Sequence, residues 1–443
     1  MRFIKYNSIN YSNYKNSSSL ICYPKNDNEI FKVIDFALKK KISILPIGNS
    51  YSWFDTIHST KNLLLNLKKY KKKFRINKKK NYIELTSNYT IREILKIISE
   101  RGYTISSLPG IYDVTIGGCI GNDVHGKDSF KKGNFSSNIL EIEIIIANKK
   151  IIKCSSNKNK EIFRSICGGL GLIGIVTKAK IKITKKHEFF KTEILRCKNY
   201  KEIIHNIYNN RENYENIHGW IDNWATKSNI GRGILFKSIP INNSETVFQK
   251  TFLEMKFLNS TKNFIYKVFI NFNLMKYFNI LIWKFLFLSK SKISTYENIT
   301  FPLNDYIDLK KVIKPKSFIE IQAILREETL VKDFKIFLLK CQKLKINGYL
   351  SGIKLHKKNN NYLSFADNGI SVNINEIFTT HNKKKVFDKF QKLHDYLIKK
   401  KIKVYIGKDF LLKERDLIKS NSRSYGIWDE LGGRFKQNSK SWR

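Results

Sequence analysis

Residues 108–127 read LPGIYDVTIGGCIGNDVHGK and hold five glycines and a single histidine, His125. Glycine at this density is incompatible with a regular helix or a central strand, because each glycine costs conformational entropy and brings no side chain to pack. The stretch therefore predicts a backbone that lies against something large and flat. A lone histidine is usually structural, and no second His or Cys stands at ligand spacing, so no metal site is expected.

Two further segments contain closely spaced glycines. Residues 46–53, PIGNSYSW, follow a predicted strand and suit a turn whose N–H groups converge on an anion such as a pyrophosphate, although an ordinary turn is the commoner outcome. Residues 169–174, GLGLIG, match GxGxxG, which binds a dinucleotide only when a strand precedes it and a helix follows. Here a predicted helix precedes, at 160–166, and a predicted strand follows, at 173–183. The match is therefore not a dinucleotide fingerprint.

The length of 443 residues predicts two domains of ordinary size. Helix and strand patterns alternate as far as residue 187, including a helix that Thr90 caps and that runs to residue 101. A polar, charged stretch over 187–202 marks a boundary. Beyond it, predicted strands at 219–224, 231–236, 318–325, 362–367 and 369–374 interleave with predicted helices at 331–344 and 384–400. This order is typical of an α+β fold, and we predict domains at 1–187 and 188–403 and a segment, 404–443, that begins with a strand at Val404 and returns to the first domain.

The formal charge of +45 suggests a polyanion partner, but its composition favours a simpler cause. Only thirteen of the 82 basic residues are Arg, they are spread along the chain, and Asn, Ile and Lys, which all have A/T-rich codons, are abundant together. No zinc-finger spacing, RNP motif or basic heptad region is present, so no specific nucleic acid is expected. An anionic membrane or a phosphorylated substrate remains compatible with the charge.

Cysteine spacing and the apolar segments predict a cytoplasmic location. The six cysteines form no CxxC pair, and the N-terminal residues lack the apolar core of a signal peptide. The aromatic segment 264–288 is long enough to span a bilayer but contains three lysines and three asparagines, which argues against a transmembrane helix. It is either a core or lid segment, which we favour, or an interfacial patch in peripheral contact with the inner membrane.

Three motifs in this order carry a resemblance to a known family. PIGNSYSW, LPGIYDVTIGGCIGNDVHGKDS and EIFRSICGGLGLIGIVTKAKI resemble the FAD-binding domain of the vanillyl-alcohol-oxidase-type (PCMH-type) oxidoreductases, over most of residues 20–185. GNDVHGK, HGWIDNW, GRGILF and VYIGKD are most similar to the decaprenylphosphoryl-β-D-ribose oxidase branch. The resemblance implies a two-part FAD-binding domain with an α+β substrate-binding cap. It also implies oxidation of a secondary sugar hydroxyl by hydride transfer to flavin N5, with polyprenyl-phosphate-linked ribose as one candidate substrate. A short-chain reductase partner would complete such an epimerisation.

The resemblance also implies roles for individual residues. The predicted FAD ligands are Gly48, Asn49, Ser50, Tyr51, Gly110, Thr115, Gly117, Gly118, Gly121, Asn122, His125, Gly126, Ile173, Ile175 and Lys408. The predicted substrate ligands are Trp220, Gln322, Lys354, Ser371 and Asn373, and the predicted catalytic residues are Lys408, Gln322, Lys354 and His125. Tyr51 stands where many family members attach FAD through a histidine, so noncovalent FAD is expected. Lys408 would place a cation beside flavin N1 and the C2 carbonyl, where negative charge develops.

Departures from the ribose oxidases leave the substrate open. Ile313, Ser371 and Asn373 stand where that branch has Tyr, Asn and Cys. An aldonolactone oxidase is the alternative enzyme, although the first-loop histidine and an HWGK-like C-terminal motif are missing. A flavin-free or polyanion-binding scaffold is the alternative of another class, and the dense glycine run argues against it.

Overall fold

The computed structural model describes residues 2–13, 15–53, 57, 62–242, 267–270, 274–286, 291–301, 313–346, 348–349, 351–408 and 411. Among these residues, no helix is both long and apolar enough to cross a membrane. The predicted strand at 404 and the segment that follows it are described only at 404–408 and 411.

A four-stranded sheet begins the chain, in the order β1-β2-β4-β3. Its strands are β1 (Ile4–Ile9), β2 (Lys15–Cys22), β3 (Ile44–Ile47) and β4 (Leu63–Asn66). Helix α1 (Asp27–Lys40) connects β2 to β3 and buries Ile30, Val33, Ile34 and Ala37. This spacing of three and four residues puts the apolar side chains on one helix face, as the sequence predicts.

A five-stranded antiparallel sheet follows, in the order β5-β6-β10-β8-β9. Its strands are β5 (Phe74–Asn77), β6 (Tyr82–Thr86), β8 (Ile139–Ile145), β9 (Ile151–Cys154) and β10 (Ile175–Lys182). The helices of this part are α2 (Ile91–Ser99), α3 (Ile116–Gly121), α4 (Ser129–Lys132) and α5 (Lys160–Ile166). Strands β7 (Tyr103–Thr104) and β11 (Thr184–Lys185) pair with each other. The predicted cap of α2 is confirmed, since Thr90 and Glu93 form a reciprocal capping box.

The second half forms a seven-stranded antiparallel sheet in the order β15-β12-β14-β13-β17-β18-β16. Its strands are β12 (Phe189–Cys197), β13 (Asn216–Ile221), β14 (Gly233–Ile241), β15 (Ser291–Thr295), β16 (Ser317–Arg326), β17 (Ser351–His356) and β18 (Gly369–Phe378). The helices are α6 (Tyr200–Tyr208), α7 (Met275–Leu281), α8 (Tyr296–Thr300), α9 (Leu330–Lys343) and α10 (Lys383–Lys399). The chain is therefore an α+β protein.

The two faces of this sheet have different environments. Ile217, Ile321, Ile353 and Val372 lie on one face and pack in a core with Phe334 of α9, among other buried residues. Because side chains alternate along a strand, the residues between them point to the opposite face. That opposite face carries polar side chains and forms one wall of the candidate site.

Two secondary-structure predictions are wrong, and the polar stretch 187–202, for which none was made, includes a strand. Residues 362–367 form turns and loop, because Tyr362 is held against Arg164 of the first half, with its ring 4.4 Å from the guanidinium. Val404 makes a single bridge to Ala323 rather than a strand. The stretch 187–202 contains β12, whose buried Phe190, Thr192 and Ile194 alternate with more exposed residues. Tertiary pairing of β12 with β14 and β15 outweighs its polar composition.

Candidate functional site

A cavity of about 670 Å³ lies against the glycine segments and the polar face of the seven-stranded sheet. Its volume falls within the range of about 300–1,000 Å³ that is usual for small-molecule and cofactor sites. Residues from both halves of the chain line it, so the site depends on their packing together.

The three glycine segments form one continuous wall of this cavity. A side chain at Gly48 would place its Cβ 2.4 Å from Thr115 Oγ1, and one at Gly121 would lie 3.6 Å from the backbone nitrogen of Gly171. Asn49 Nδ2 also donates to the carbonyl of Asp113, at 2.9 Å. The segments therefore touch one another closely because side chains are missing at the contact points.

The expectation that residues 108–127 contain no regular helix is wrong. Residues 116–121 form the short helix α3, and the Thr115 hydroxyl accepts a hydrogen bond from the Gly118 N–H at 3.2 Å. Cys119 and Ile120 are fully buried, so core packing compensates the entropic cost of the glycines. The glycines Gly117, Gly118 and Gly121 of this helix still line the cavity, as the prediction of close backbone approach required.

All seven strands of the second sheet contribute to the opposite wall. Glu320 and Gln322 on β16, and Ser371 and Asn373 on β18, stand two residues apart in strands that are otherwise mostly apolar. The strand register places Gln322 opposite Asn373. Polar residues at every second position of an otherwise apolar strand indicate that one side of the strand faces solvent or a ligand. This pattern includes Glu320, which was not among the predicted site residues.

His125 is the centre of a hydrogen-bonded cluster. Its Nε2 lies 3.1 Å from Gln322 Nε2, and its Nδ1 lies 3.4 Å from Lys354 Nζ. Gln322 Nε2 is also 3.1 Å from Ser371 Oγ, which in turn lies 2.8 Å from His356 Nε2. Burial, followed by the positive charge of Lys354, lowers the pKa of His125 well below its ordinary value, so this imidazole is neutral at physiological pH.

Lys354 has an unusual protonation equilibrium. Burial, followed by repulsion from the Lys408 ammonium, lowers its pKa to about 7. Burial of the His356 imidazole, followed by the positive charge of Lys354, lowers the pKa of His356 to about 3. Lys354 is therefore a group next to His125 that changes its charge around neutral pH.

Lys408 is fixed from two sides. Its Nζ lies 2.7 Å from Glu320 Oε1 and 4.4 Å from the centre of the Trp53 ring. Glu320 Oε2 accepts a further hydrogen bond from Asn375 Nδ2, at 3.2 Å. The Lys408 side chain is 16% exposed and the Glu320 side chain 1% exposed, so this ion pair lies largely out of water. The arrangement holds a cation at a defined point of the cavity wall.

The cavity brings together nearly all of the residues that the sequence analysis selected. Those that line it are Gly48, Asn49, Ser50, Tyr51, Gly110, Thr115, Gly117, Gly118, Gly121, Asn122, His125, Ile175, Trp220, Gln322, Lys354, Ser371, Asn373 and Lys408. Two selected residues, Gly126 and Ile173, are not in the lining. Gly126 packs against the Ser107 backbone, where a Cβ would be 3.0 Å from Ser107 Cα, and Ile173 is part of the hydrophobic core. Within the described part of the chain, no cluster of three or more metal-ligating side chains is found.

Comparison with known proteins identifies the cofactor of the chain. Residues 18–155 match the family model of the FAD binding domain. The chain contains an FAD-binding domain. FAD is therefore its cofactor, and the prediction of FAD from the three motifs is confirmed. This domain includes the first two of the three glycine segments.

Three curated relatives illustrate the similarity. Cytokinin dehydrogenase 2 of Arabidopsis thaliana is 32% identical over 106 residues, 24% of this chain and 21% of the relative. D-arabinono-1,4-lactone oxidase of Kluyveromyces lactis is 26% identical over 196 residues, 43% of this chain and 35% of the relative. Decaprenylphosphoryl-beta-D-ribose oxidase of Mycolicibacterium smegmatis is 26% identical over 139 residues, 31% of this chain and 30% of the relative. The chain thus spans about a fifth to a third of these relatives.

The cavity fits FAD by its chemistry as well as by its volume. Gln322 Oε1 and His218 Nδ1 are buried and lack a hydrogen-bond partner among the described residues. Buried polar atoms are nearly always paired, so these two indicate that a ligand with polar groups belongs here. The glycine wall and the loop at 48–51 would hold the cofactor. Gln322 and Lys354 would face it from the sheet, and Lys408 from the turn after Val404.

The contact between Gly48 and Thr115 provides a test of the glycine wall. We expect Gly48→Ala to lower flavin affinity by about tenfold or more, because the new Cβ would collide with Thr115 Oγ1 and separate the 48–51 loop from α3. Flavin retained after gel filtration and a fluorescence titration of the stripped protein would measure this. Gly102→Ala is the control, since that glycine has φ +77° and no atom within 4 Å of its Cβ position. It should cost roughly 1 kcal/mol of folding free energy and leave flavin binding unchanged. Equal flavin affinity in the two variants would contradict the expectation.

Proposed function

We propose that this protein is an FAD-dependent oxidoreductase that oxidises a secondary hydroxyl group of a sugar. The observation that carries the proposal is a group of polar side chains in the cavity: Lys408, Glu320, Gln322 and Lys354 on the wall opposite the glycine segments, and His125 of segment 108–127, which contacts Gln322 and Lys354. FAD, when bound, supplies an acceptor for the hydride that an alcohol carbon loses on oxidation. Two of the three relatives are named as oxidases of a sugar lactone and of a phosphoryl ribose, which supports a sugar hydroxyl.

The side chains of the sheet would bind and orient the hydroxyl groups. Gln322 Oε1 is buried without a partner among the described residues, so it can accept a hydrogen bond from a substrate hydroxyl. Ser371 and Asn373 stand beside it on β18. A site that hydrogen-bonds a hydroxyl discriminates strongly against compounds that lack it, because its own polar groups would then be unpaired.

Oxidation of an alcohol also releases a proton, and Lys354 would accept it. With a pKa of about 7, Lys354 Nζ is uncharged in a large fraction of molecules at neutral pH. A group with a pKa near the working pH is the most effective proton acceptor. Glu320 holds the Lys408 ammonium at the cavity wall, where it would stabilise negative charge that develops during the reaction.

FAD is proposed to be bound noncovalently. Tyr51 occupies the position of the histidine that anchors FAD in many flavoproteins that the motifs resemble. Its ring lies 6.0 Å from that of Tyr11 at the edge of the cavity. All six cysteines are buried, and none lines the cavity. We expect acid precipitation to release the flavin completely into the supernatant.

Two sugar substrates have separate support. The lining contains six lysines, at 68, 72, 127, 292, 354 and 408, but only two acidic residues, Glu93 and Glu320. Without Lys127 and Lys354, whose pKa values burial lowers, four lysines still outnumber the two carboxylates, which favours a substrate that carries phosphate, such as polyprenyl-phosphate-linked ribose. The arabinonolactone oxidase matches a longer part of the chain at the same 26% identity as the ribose oxidase, which favours an aldonolactone. The ribose proposal also calls for a short-chain reductase that returns a hydride to the oxidised sugar, and for a cytoplasmic site of action.

A single preparation tests these proposals. We expect the natively isolated protein to be yellow, with a flavin absorption spectrum that bleaches under anaerobic conditions when a short-chain prenylphosphoryl ribose is added. Bleaching by D-arabinono-1,4-lactone or L-gulonolactone, and none by the ribose lipid, would establish the alternative substrate. If the protein contains flavin and none of these sugars reduces it, sugar oxidation is contradicted. If no flavin is bound, the flavin-free scaffold is the remaining alternative.

A further inference from the structure

Helix α7 and the π-helical turn that follows it, residues 274–286, have two faces of different character. On the inner face Met275 and Asn279 are buried, and the Phe278 ring contacts the Phe269 ring at a tilt of 34°, with ring centres 4.6 Å apart. On the outer face Leu274, Tyr277, Leu281 and Phe285 are 40%, 60%, 47% and 61% exposed. Their spacing of three, four and four residues places them in one stripe along the helix. We call these four side chains the outer stripe.

Buried polar contacts hold this helix in place. Asn279 Nδ2 donates to Asp222 Oδ1 at 2.8 Å, and the same carboxylate receives both Nε and Nη2 of Arg232, at 2.8 and 2.6 Å. Trp283 Nε1 donates to the carbonyl of Cys197 at 3.3 Å, and its ring lies 5.6 Å from the Arg232 guanidinium. The inner face is therefore tied to β12 and to the loop between β13 and β14, and the outer stripe lies on the opposite side of the helix.

The charged residues in the sequence of the segment that carries the outer stripe are all lysines. Lys267, Lys276 and Lys284 are exposed on the same segment. Over residues 255–296 the sequence contains seven lysines and not one Asp or Glu. Apolar residues flanked by lysines suit the boundary of a bilayer, because the apolar side chains enter the acyl region while the ammonium groups meet the headgroups.

We propose that the outer stripe docks this protein on the surface of an anionic lipid bilayer. Charge complementarity selects this occupant: anionic headgroups attract the three lysines, whereas a second copy of the chain would bring the same lysines against each other. The helix would lie in the interfacial plane without crossing the membrane. The proposal concerns the outer stripe and the three lysines beside it, and it does not depend on which sugar the cavity binds.

Vesicle flotation with the full-length flavoprotein tests the proposal. We expect the protein to float with vesicles that contain phosphatidylglycerol, to bind phosphatidylcholine vesicles at least tenfold more weakly, and to be released from the anionic vesicles by high salt. The variant Tyr277→Ser/Leu281→Asn/Phe285→Ser should bind anionic vesicles about tenfold or more weakly, because about three partly inserted apolar side chains are lost. Lys276→Glu/Lys284→Glu should remove the preference for anionic lipid.

A matched control separates the outer stripe from general surface hydrophobicity. Val331 and Leu339 of α9 are 51% and 46% exposed, so Val331→Asn/Leu339→Asn removes comparable apolar surface elsewhere. This variant should bind vesicles like the parent. Flavin absorbance, measured on every variant, reports folding and keeps this test independent of the proposed oxidation. The proposal would be overturned if the outer-stripe variant and the α9 variant lost vesicle binding equally. It would also be overturned if the outer-stripe variant bound vesicles like the parent. A lipid-independent dimer, detected by sedimentation velocity, that the outer-stripe variant abolishes would overturn it as well.

Discussion

Lys408→Met is expected to lower the rate of flavin reduction by substrate by about 10²–10³-fold, the loss that usually follows removal of one preorganised electrostatic group. The cation that Glu320 and Trp53 hold at the cavity wall is missing in this variant. The substitution should also destabilise the fold by roughly 3–5 kcal/mol, because the Glu320 carboxylate, 1% exposed, then lies buried without its counterion. Stopped-flow absorbance and a thermal melt measure the two effects separately.

The double variant Glu320→Gln/Lys408→Met distinguishes catalysis from stability. The neutral amide introduced at position 320 can still accept a hydrogen bond from Asn375 Nδ2, and no buried charge is left without a counterion. Most of the folding free energy lost in Lys408→Met should therefore be restored. Flavin reduction should stay as slow as in Lys408→Met. If the double variant regained normal flavin reduction, Lys408 would serve the fold alone, and the proposed electrostatic role would be wrong.

The second large effect concerns the pH dependence that Lys354 imposes. The pKa of this lysine is lowered to about 7, so its uncharged, proton-accepting form increases as the pH rises through 7. We therefore expect the rate of flavin reduction to rise between about pH 6 and 8 and then to level off. Lys354→Met should lower the rate at pH 8 by about 10²–10⁴-fold, because the proton acceptor is lost, and should abolish the rise.

Two further variants identify the titrating group. Lys408→Met should move the rise in rate to higher pH, because repulsion from the Lys408 ammonium is one cause of the lowered pKa of Lys354. His125→Asn should keep the rise, since His125 is already neutral throughout this range. A rise near pH 7 that persists in Lys354→Met would show that another group accepts the proton.

The polar residues of the site could be predicted from the sequence only in part. Gln322, Lys354 and Lys408 were selected only through resemblance, and Glu320, which holds Lys408, was missed. The period-two pattern of Glu320 and Gln322 shows that one face of β16 is polar, but not which charged group it meets. That contact arises because residue 405 pairs with the strand, its N–H donating to the carbonyl of Gln322 at 2.8 Å, and brings Lys408 with it.

The glycine stretch 108–127 by itself predicted a backbone that lies against something large and flat, because close approach of backbone to a ligand demands missing side chains. FAD was predicted from the resemblance that this stretch and the two other glycine segments have to a known family. Local rules likewise predicted α1, α2, α9 and α10, since apolar periodicity and caps act within a few residues. Only the tertiary structure decided that residues 116–121 are helical, that 362–367 are not a strand, and that the polar faces of seven strands meet the glycine wall. These outcomes depend on contacts between residues far apart in the chain, and no local pattern contains the energy of such contacts.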